Sequence, residues 1–84
     1  MWHKMKNLQL KPIASNMTEL TVGNITILFS YQTPVAALLP SGRYVKTSKK
    51  WSPTTTKHVN KWLVGVFAPV EEVEQDFINE IIKG

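Results

Sequence analysis

The clearest pattern of apolar and polar positions lies between Leu20 and Ile27, where the two kinds of residue alternate on both sides of Gly23-Asn24. A Gly-Asn pair between two alternating runs is typical of a two-residue β-hairpin turn. This turn places Leu20 opposite Ile27 and continues the same apolar face to Phe29. A slip of one residue would turn these side chains toward water, so the pattern predicts the register as well as the strands.

A second hairpin is predicted directly after the first. Its strands are Pro34–Leu39 and Arg43–Thr47, and Pro40-Ser41-Gly42 lies between them. Proline favours the second position of a type I turn, and glycine accepts the positive φ that the turn requires. The resulting register places Leu38 opposite Tyr44.

Residues 1–12 are basic and alternate only weakly. They are compatible with a flexible arm or with an edge strand. Pro12 restricts such a strand to the edge of a sheet, because proline has no N–H to donate to a second neighbour.

Beyond residue 51 the spacing of the apolar residues changes to a helical period. Ser52 and Pro53 form a typical helix start, with serine as the N-cap and proline at the first helical position. The helix is predicted from Thr54 to Val64. Its inward-facing residues are predicted to be Val59, Trp62, Leu63 and Val66.

A second helix is predicted to begin at Pro69. Glu71, Glu72 and Glu74 would lie in its first turns, where acidic side chains stabilise the positive end of the helix dipole. Its apolar positions form a wide stripe. The stripe consists of Val70, Val73, Phe77, Ile78 and Ile81.

Strands that precede helices along the chain favour an α+β domain. We therefore expect an antiparallel sheet of about four strands, formed by the two hairpins, followed by two C-terminal helices packed on one face of the sheet. Eighty-four residues are enough for a single domain, residues 1–84, and not for two.

The composition limits the kinds of site that the chain can carry. It contains no cysteine, which excludes disulfides, thiolate catalysis and cysteine-bound metal centres. A secreted domain of this size usually needs disulfides or a metal, so a reducing, cytoplasmic location is expected. The N-terminal residues lack the apolar core of a signal peptide, and the longest apolar stretch, Trp62 to Val70, is too short to cross a membrane.

Charge is divided unevenly along the chain. Residues 1–61 contain nine Lys or Arg and one acid, a net charge of +8, whereas residues 62–84 contain one Lys and five acids, a net charge of −4. A basic half of this kind favours a polyanionic partner or an acidic protein surface.

The segment from Arg43 to Trp62 carries six basic residues and many hydroxyls, and it contains no acid. Lysine and arginine neutralise phosphates, hydroxyls hydrogen-bond them, and an aromatic ring can stack on an unpaired base. The segment therefore predicts a basic strand-loop-helix face that binds DNA or RNA. The predicted phosphate contacts are Arg43, Lys46, Lys49, Lys50, Lys57 and Lys61, and the predicted stacking residue is Trp51.

Two other kinds of function fit the same pattern. A protein-binding module that inhibits or redirects a host protein would use the basic face against an acidic surface, or would use an exposed edge strand such as Thr18–Val22. A structural protein that forms homodimers is the third possibility.

Catalytic residues, metals and cofactors are not expected, and the chain is not predicted to be an enzyme. His58 has no carboxylate near it in sequence and no second histidine at ligand spacing. Thr54 or Thr55 could stand near His58, but nothing in the pattern orients a catalytic triad. Phosphate-binding and dinucleotide-binding glycine motifs are absent from the sequence.

Residues 30–63 contain the pattern S-Y-x-T-P-V-A from Ser30, then a tyrosine strand, then K-W-S-x-T-T-x-x-H-x-N-K-W-L ending at Leu63. This pattern resembles that of a family of short phage and viral proteins of unknown function. The resemblance implies a viral accessory protein that acts in a host cytoplasm. It brings no catalytic residues with it.

Overall fold

The computed structural model describes the backbone of residues 8–83 and the side chains of residues 8–82. These residues form six strands and two helices. In chain order they are β1 (Leu8–Ala14), β2 (Met17–Val22), β3 (Ile25–Ser30), β4 (Thr33–Leu38), β5 (Tyr44–Thr47), α1 (Pro53–Trp62), β6 (Val70–Val73) and α2 (Gln75–Lys83).

All six strands form one sheet in the order β1-β2-β3-β4-β5-β6. The first five strands are antiparallel, and β6 is parallel to β5, to which α1 connects it. The α+β class is therefore confirmed, with six strands in place of about four. One added strand is β1 at the edge of the sheet, so from Leu8 onward the first segment is an edge strand rather than an arm. Residues 1–7 lie outside the described part of the chain.

Both predicted hairpins are present with the predicted registers. Leu20 pairs with Ile27, and Leu38 pairs with Tyr44. Gly23 and Gly42 have φ values of +60° and +90°, which residues with a side chain rarely adopt. Each turn therefore has glycine at the position that requires a positive φ. Because β2 lies between β1 and β3, the Thr18–Val22 segment is an interior strand and not the free edge that the sequence indicated.

The prediction of a helix from Pro69 was wrong for its first part. Residues Val70–Val73 form β6, and the helix begins only at Gln75. Apolar residues three apart, such as Val70 and Val73, lie on one face of a helix, but they also fit a short strand that is covered on both faces, because they point to opposite faces of the sheet. The strand prevails because the open edge of β5 offers backbone partners to these residues. Glu71 and Glu72 therefore lie on a strand rather than in the first turn of a helix.

Helix α1 begins as the sequence indicates. Ser52 is the N-cap, and its hydroxyl accepts a hydrogen bond from the Thr55 N–H at 3.2 Å. Val59 is buried, and Trp62 and Leu63 pack against the same core. The helix ends at Trp62, two residues earlier than predicted, and Val66 lies in the loop beyond it.

The two helices pack on opposite faces of the sheet, which corrects the prediction that they share one face. Successive residues of a strand point to opposite faces. In β3, Leu28 packs in the cluster that contains Val59 of α1, whereas Ile27 packs in the cluster that contains Ile81 of α2. Both Leu28 and Ile27 are buried, because each face of the sheet is covered by a different helix. Neither helix of the described residues has the length and apolar character that a membrane span requires.

Candidate functional site

A cleft of about 150 Å³ opens between α1 and the loop that follows β5. This loop leaves the carboxyl end of β5, next to the carboxyl end of the parallel strand β6. In open α/β sheets, ligands commonly bind at the carboxyl ends of parallel strands, and β5 and β6 are the parallel pair of this sheet. The residues that give the cleft its chemistry are Lys46, Lys49, Lys50, Trp51, Thr56, Asn60 and Glu72.

Hydrogen bonds hold the start of this loop in place. The Thr47 hydroxyl accepts from the backbone N–H of Lys49 at 3.1 Å. The Ser48 N–H donates to the Val73 carbonyl at 2.8 Å, which continues the ladder between β5 and β6. The backbone that carries Lys49 and Lys50 is therefore ordered by its neighbours rather than left as a free surface loop.

Trp51 is held on two sides. Its indole Nε1–H donates to Oε1 of Gln75, the first residue of α2, at 3.2 Å. The Lys49 ammonium lies 4.2 Å from the centroid of the indole ring, a cation–π distance. The residue still exposes 39% of its surface. Trp51 thus has a defined orientation and an accessible surface, which a stacking platform requires.

The structure brings four of the seven predicted site residues together. Lys46, Lys49, Lys50 and Trp51 all line the cleft. Lys57 and Lys61 are exposed on α1 and lie one turn apart on the side of the helix opposite the buried Val59. They extend the basic surface along α1 without entering the cleft.

Arg43 is separated from the other six residues. It precedes β5, whereas the cleft lies at the opposite, carboxyl end of that strand. Its guanidinium forms an exposed ion pair with Glu71 of β6. The sequence grouped Arg43 with the lysines because it is near them in the chain, and its partner comes from a segment 28 residues away.

The opposite placement of the two helices separates the charges in space. The exposed lysines of α1 and the cleft lie on one side of the sheet, and Asp76 and Glu80 lie on α2 at the other side. Glu19 on the α1 side accepts a hydrogen bond from the Trp62 indole N–H at 2.7 Å. Glu72 is the acidic residue within the cleft. The basic surface therefore does not lie beneath the acids of α2.

Ser30 and His58 form a contact that sequence reasoning missed. The Ser30 hydroxyl lies 2.7 Å from His58 Nδ1 and 2.9 Å from the Thr55 hydroxyl. The Tyr31 ring lies over His58, with 5.8 Å between the ring centroids. A serine and a histidine at this distance resemble a nucleophile and its base. Ser30, however, is only 1% exposed, so this network fastens α1 to β3 and offers no hydroxyl to a substrate.

Trp62 makes a second set of contacts between this helix and the sheet. The ring of Trp62 packs edge-on against Tyr44 of β5, with 5.8 Å between centroids and an interplanar angle of 67°. Together with the bond to Glu19, this contact spans α1, β2 and β5. Tyr44 and Trp62, which belong to the pattern that carries the resemblance, thus pack against each other.

Metal-ligand geometry is not found in residues 8–82, where no three His, Asp or Glu side chains come close enough to hold an ion. The buried side-chain polar atoms in this range all have hydrogen-bond partners. The residues present are suited to holding an anion or a planar ring in the cleft, by charge and by stacking.

Comparison with known proteins identifies the family of this chain. No curated protein and no solved structure matches it. A family model matches, and the matched range includes residues 30–63, which carry the resemblance described above. Residues 8–80 match the family of unknown function DUF8033, and the chain belongs to that family.

Proposed function

We propose that this protein binds nucleic acid through the α1 side of its sheet, with the cleft after β5 at the centre of the interface. The observation that carries the proposal is the meeting of Lys46, Lys49 and Lys50 with an oriented, accessible Trp51 in one cleft. Cationic side chains beside an aromatic platform are the combination that binds single-stranded nucleic acid.

The lysines would supply most of the binding free energy. Lys46, Lys49 and Lys50 neutralise phosphates at the cleft and release their counterions. The hydroxyl of Thr56 and the amide of Asn60 line the same cleft and can hydrogen-bond phosphate or sugar oxygens. Lys57 and Lys61 continue the charged track along α1.

Trp51 would supply stacking. Its orientation is set by Gln75 and its ring is flanked by Lys49, so binding does not require the ring to be ordered first. Preorganised contacts cost less conformational entropy on binding. Stacking is tolerant of sequence, since every base has a π face.

Binding, rather than catalysis, is the activity that we propose. The Ser30–His58 pair is enclosed, and the proposal requires no metal or cofactor. The resemblance to short phage and viral proteins supports an accessory role in a host cytoplasm, where a small nucleic-acid-binding protein would act on host or viral DNA or RNA.

Fluorescence anisotropy with labelled single-stranded and duplex oligonucleotides at low salt tests the proposal. The Lys49→Ala/Lys50→Ala variant should bind more weakly and reduce the slope of log affinity against log salt by about two, roughly one for each lost phosphate contact. The control is Lys11→Ala/Arg43→Ala, which removes the same charge from residues that do not line the cleft. Equal weakening by both variants, or no complex with the wild type, would contradict the proposal.

A second candidate function is supported by the exposed edge of the sheet. Among the described residues β1 has one neighbouring strand, and its Leu8 and Leu10 are 46% and 69% exposed. An apolar edge strand is suited to pairing with an extended segment of another protein. This protein-binding module would inhibit or redirect a host protein. A partner that is captured from nuclease-treated extract by the wild type and lost with Leu10→Lys would support it, and a partner retained by that variant would not use this edge.

A further inference from the structure

Glu72 lines the cleft, and neither phosphate binding nor base stacking explains its presence there. It projects from β6, lies opposite Lys46 in the parallel register, and lines the cleft with the three lysines. It forms no ion pair with another described residue, in contrast to its neighbour Glu71, which pairs with Arg43. A carboxylate repels phosphate, so its presence in the lining of a basic cleft points to a different contact.

A carboxylate can accept hydrogen bonds from the N–H groups of a base. Guanine presents two adjacent donors on its Watson–Crick edge, the N1–H and the N2 amino group, and these match the two oxygens of one carboxylate. Adenine and cytosine each present an amino group beside an acceptor nitrogen, and thymine presents a single N–H between two carbonyls. The Watson–Crick edge is free only when the base is unpaired.

We infer that the cleft binds an unpaired guanine, with Glu72 accepting from N1–H and N2–H and Trp51 stacking on the ring. Both side chains line the same small cleft. Lys49 and Lys50 stand at its wall, where they can contact the phosphates on either side of the base. This inference depends on the proposed function, and it adds a base preference to what would otherwise be binding to any sequence.

A simpler role for Glu72 makes the opposite prediction. If its carboxylate only balances the charge of Lys46, the Glu72→Gln variant removes a repulsion and should bind every oligonucleotide more tightly. If it reads guanine, the same variant should bind a guanine probe more weakly, because an amide offers one acceptor oxygen and a donor that faces the guanine donors. The sign of the change therefore separates the two roles.

The experiment measures anisotropy with a short oligothymidylate that carries one central guanine, inosine or adenine. The wild type should bind the guanine probe roughly tenfold more tightly than the adenine probe, the usual value of a bidentate base contact. Inosine, which lacks the N2 amino group, should fall between them. Glu72→Gln should lose this preference. Glu71→Gln, which removes the same charge from a residue outside the cleft, should retain it.

Equal affinity of the wild type for the three probes would overturn the guanine inference and leave nucleic-acid binding standing. A Glu72→Gln variant that binds all three probes more tightly and by the same factor would also overturn it. Absence of any complex at low salt would remove the proposed function together with the inference. Circular dichroism of both variants shows whether the fold is retained, which is expected because Glu71 and Glu72 are exposed.

Discussion

Trp51 and Gln75 connect the two sides of the molecule. The indole Nε1–H of Trp51, in the loop before α1, donates to Gln75 Oε1 at the start of α2. The same Gln75 amide donates through Nε2 to the carbonyl of Pro34 in β4 at 2.7 Å. The orientation of a cleft residue thus depends on an uncharged side chain that does not line the cleft.

Replacement of Gln75 tests this dependence. Gln75→Leu removes the acceptor for Trp51 without changing the charge of the protein. We expect nucleic-acid affinity to fall roughly fivefold, the factor that corresponds to one lost hydrogen bond of about 1 kcal/mol. The slope against salt should not change, because no phosphate contact is lost. Anisotropy titrations at several salt concentrations measure both quantities. Gln9→Leu is the matched control on β1, and an equal effect of the two variants would refute the link.

The buried Ser30 network should contribute to stability. Ser30→Ala leaves the Thr55 hydroxyl and His58 Nδ1 without their common partner. The free energy of unfolding should fall by about 1–3 kcal/mol, because His58 Nδ1 loses its hydrogen-bond partner and the Thr55 hydroxyl keeps only its 3.3 Å contact with the Ser52 hydroxyl. Urea denaturation measures the change. Ser41→Ala, in an exposed turn, serves as the control and should be close to neutral.

A double-mutant cycle separates this network from simple loss of volume. Ser30→Ala combined with Thr55→Val should cost less than the sum of the two single changes, with a coupling energy of about 0.5–3 kcal/mol. Strict additivity would mean that the 2.9 Å contact between the two hydroxyls contributes nothing to stability.

Trp62 should contribute to stability through its polar end as well as its ring. Trp62→Phe keeps an aromatic ring beside Tyr44 and removes the indole N–H that Glu19 accepts. A hydrogen bond to a charged group contributes about 1.5–3 kcal/mol, so a loss of this order is expected, with part of it due to the smaller ring. Glu19→Gln retains an acceptor and should be milder in urea denaturation. A larger loss for Glu19→Gln than for Trp62→Phe would show that Glu19 acts through some other contact.

The hairpins could be predicted from the sequence because their information is local. Gly23 and Gly42 mark the turns, and the residues that pair lie within a few positions of them. The N-cap of α1 is local in the same sense, since Ser52 bonds the Thr55 N–H. Each of these elements is specified by residues that a short window contains.

Strand β6 and the opposite placement of the helices could not be predicted in this way. Residues 70–73 become a strand only because β5, 26 residues earlier, has an open edge. One signal of two covered faces was present in β3, where Ile27, Leu28 and Phe29 are consecutive apolar residues and do not alternate. A strand that is apolar without interruption is typical of a sheet buried on both sides.

The candidate site shows the same division between local and distant information. The lysines of the cleft are close in sequence, so composition alone pointed to them. Gln75 orients Trp51, and Glu72 adds an acid to the cleft. Both residues come from the segment after α1. Both residues reach the site only because the chain crosses over and places β6 beside β5. No pattern within residues 43–62 indicates this crossover.

Lys57 and Lys61 test how far the proposed interface extends along α1. Both are exposed and lie outside the cleft, one helical turn apart. If the nucleic acid follows α1 beyond the cleft, Lys57→Ala/Lys61→Ala should lower the salt slope by about two, roughly one for each lysine. It should leave any preference for one base unchanged, because phosphate contacts carry no sequence information.

The length of the oligonucleotide provides the control for this prediction. A probe that fills only the cleft should bind the wild type and the Lys57→Ala/Lys61→Ala variant with nearly equal affinity. A longer probe should distinguish them, since only it reaches the outer surface of α1. If the variant weakens the short and the long probe by the same factor, Lys57 and Lys61 act through the general field of the protein and not through contacts along the helix.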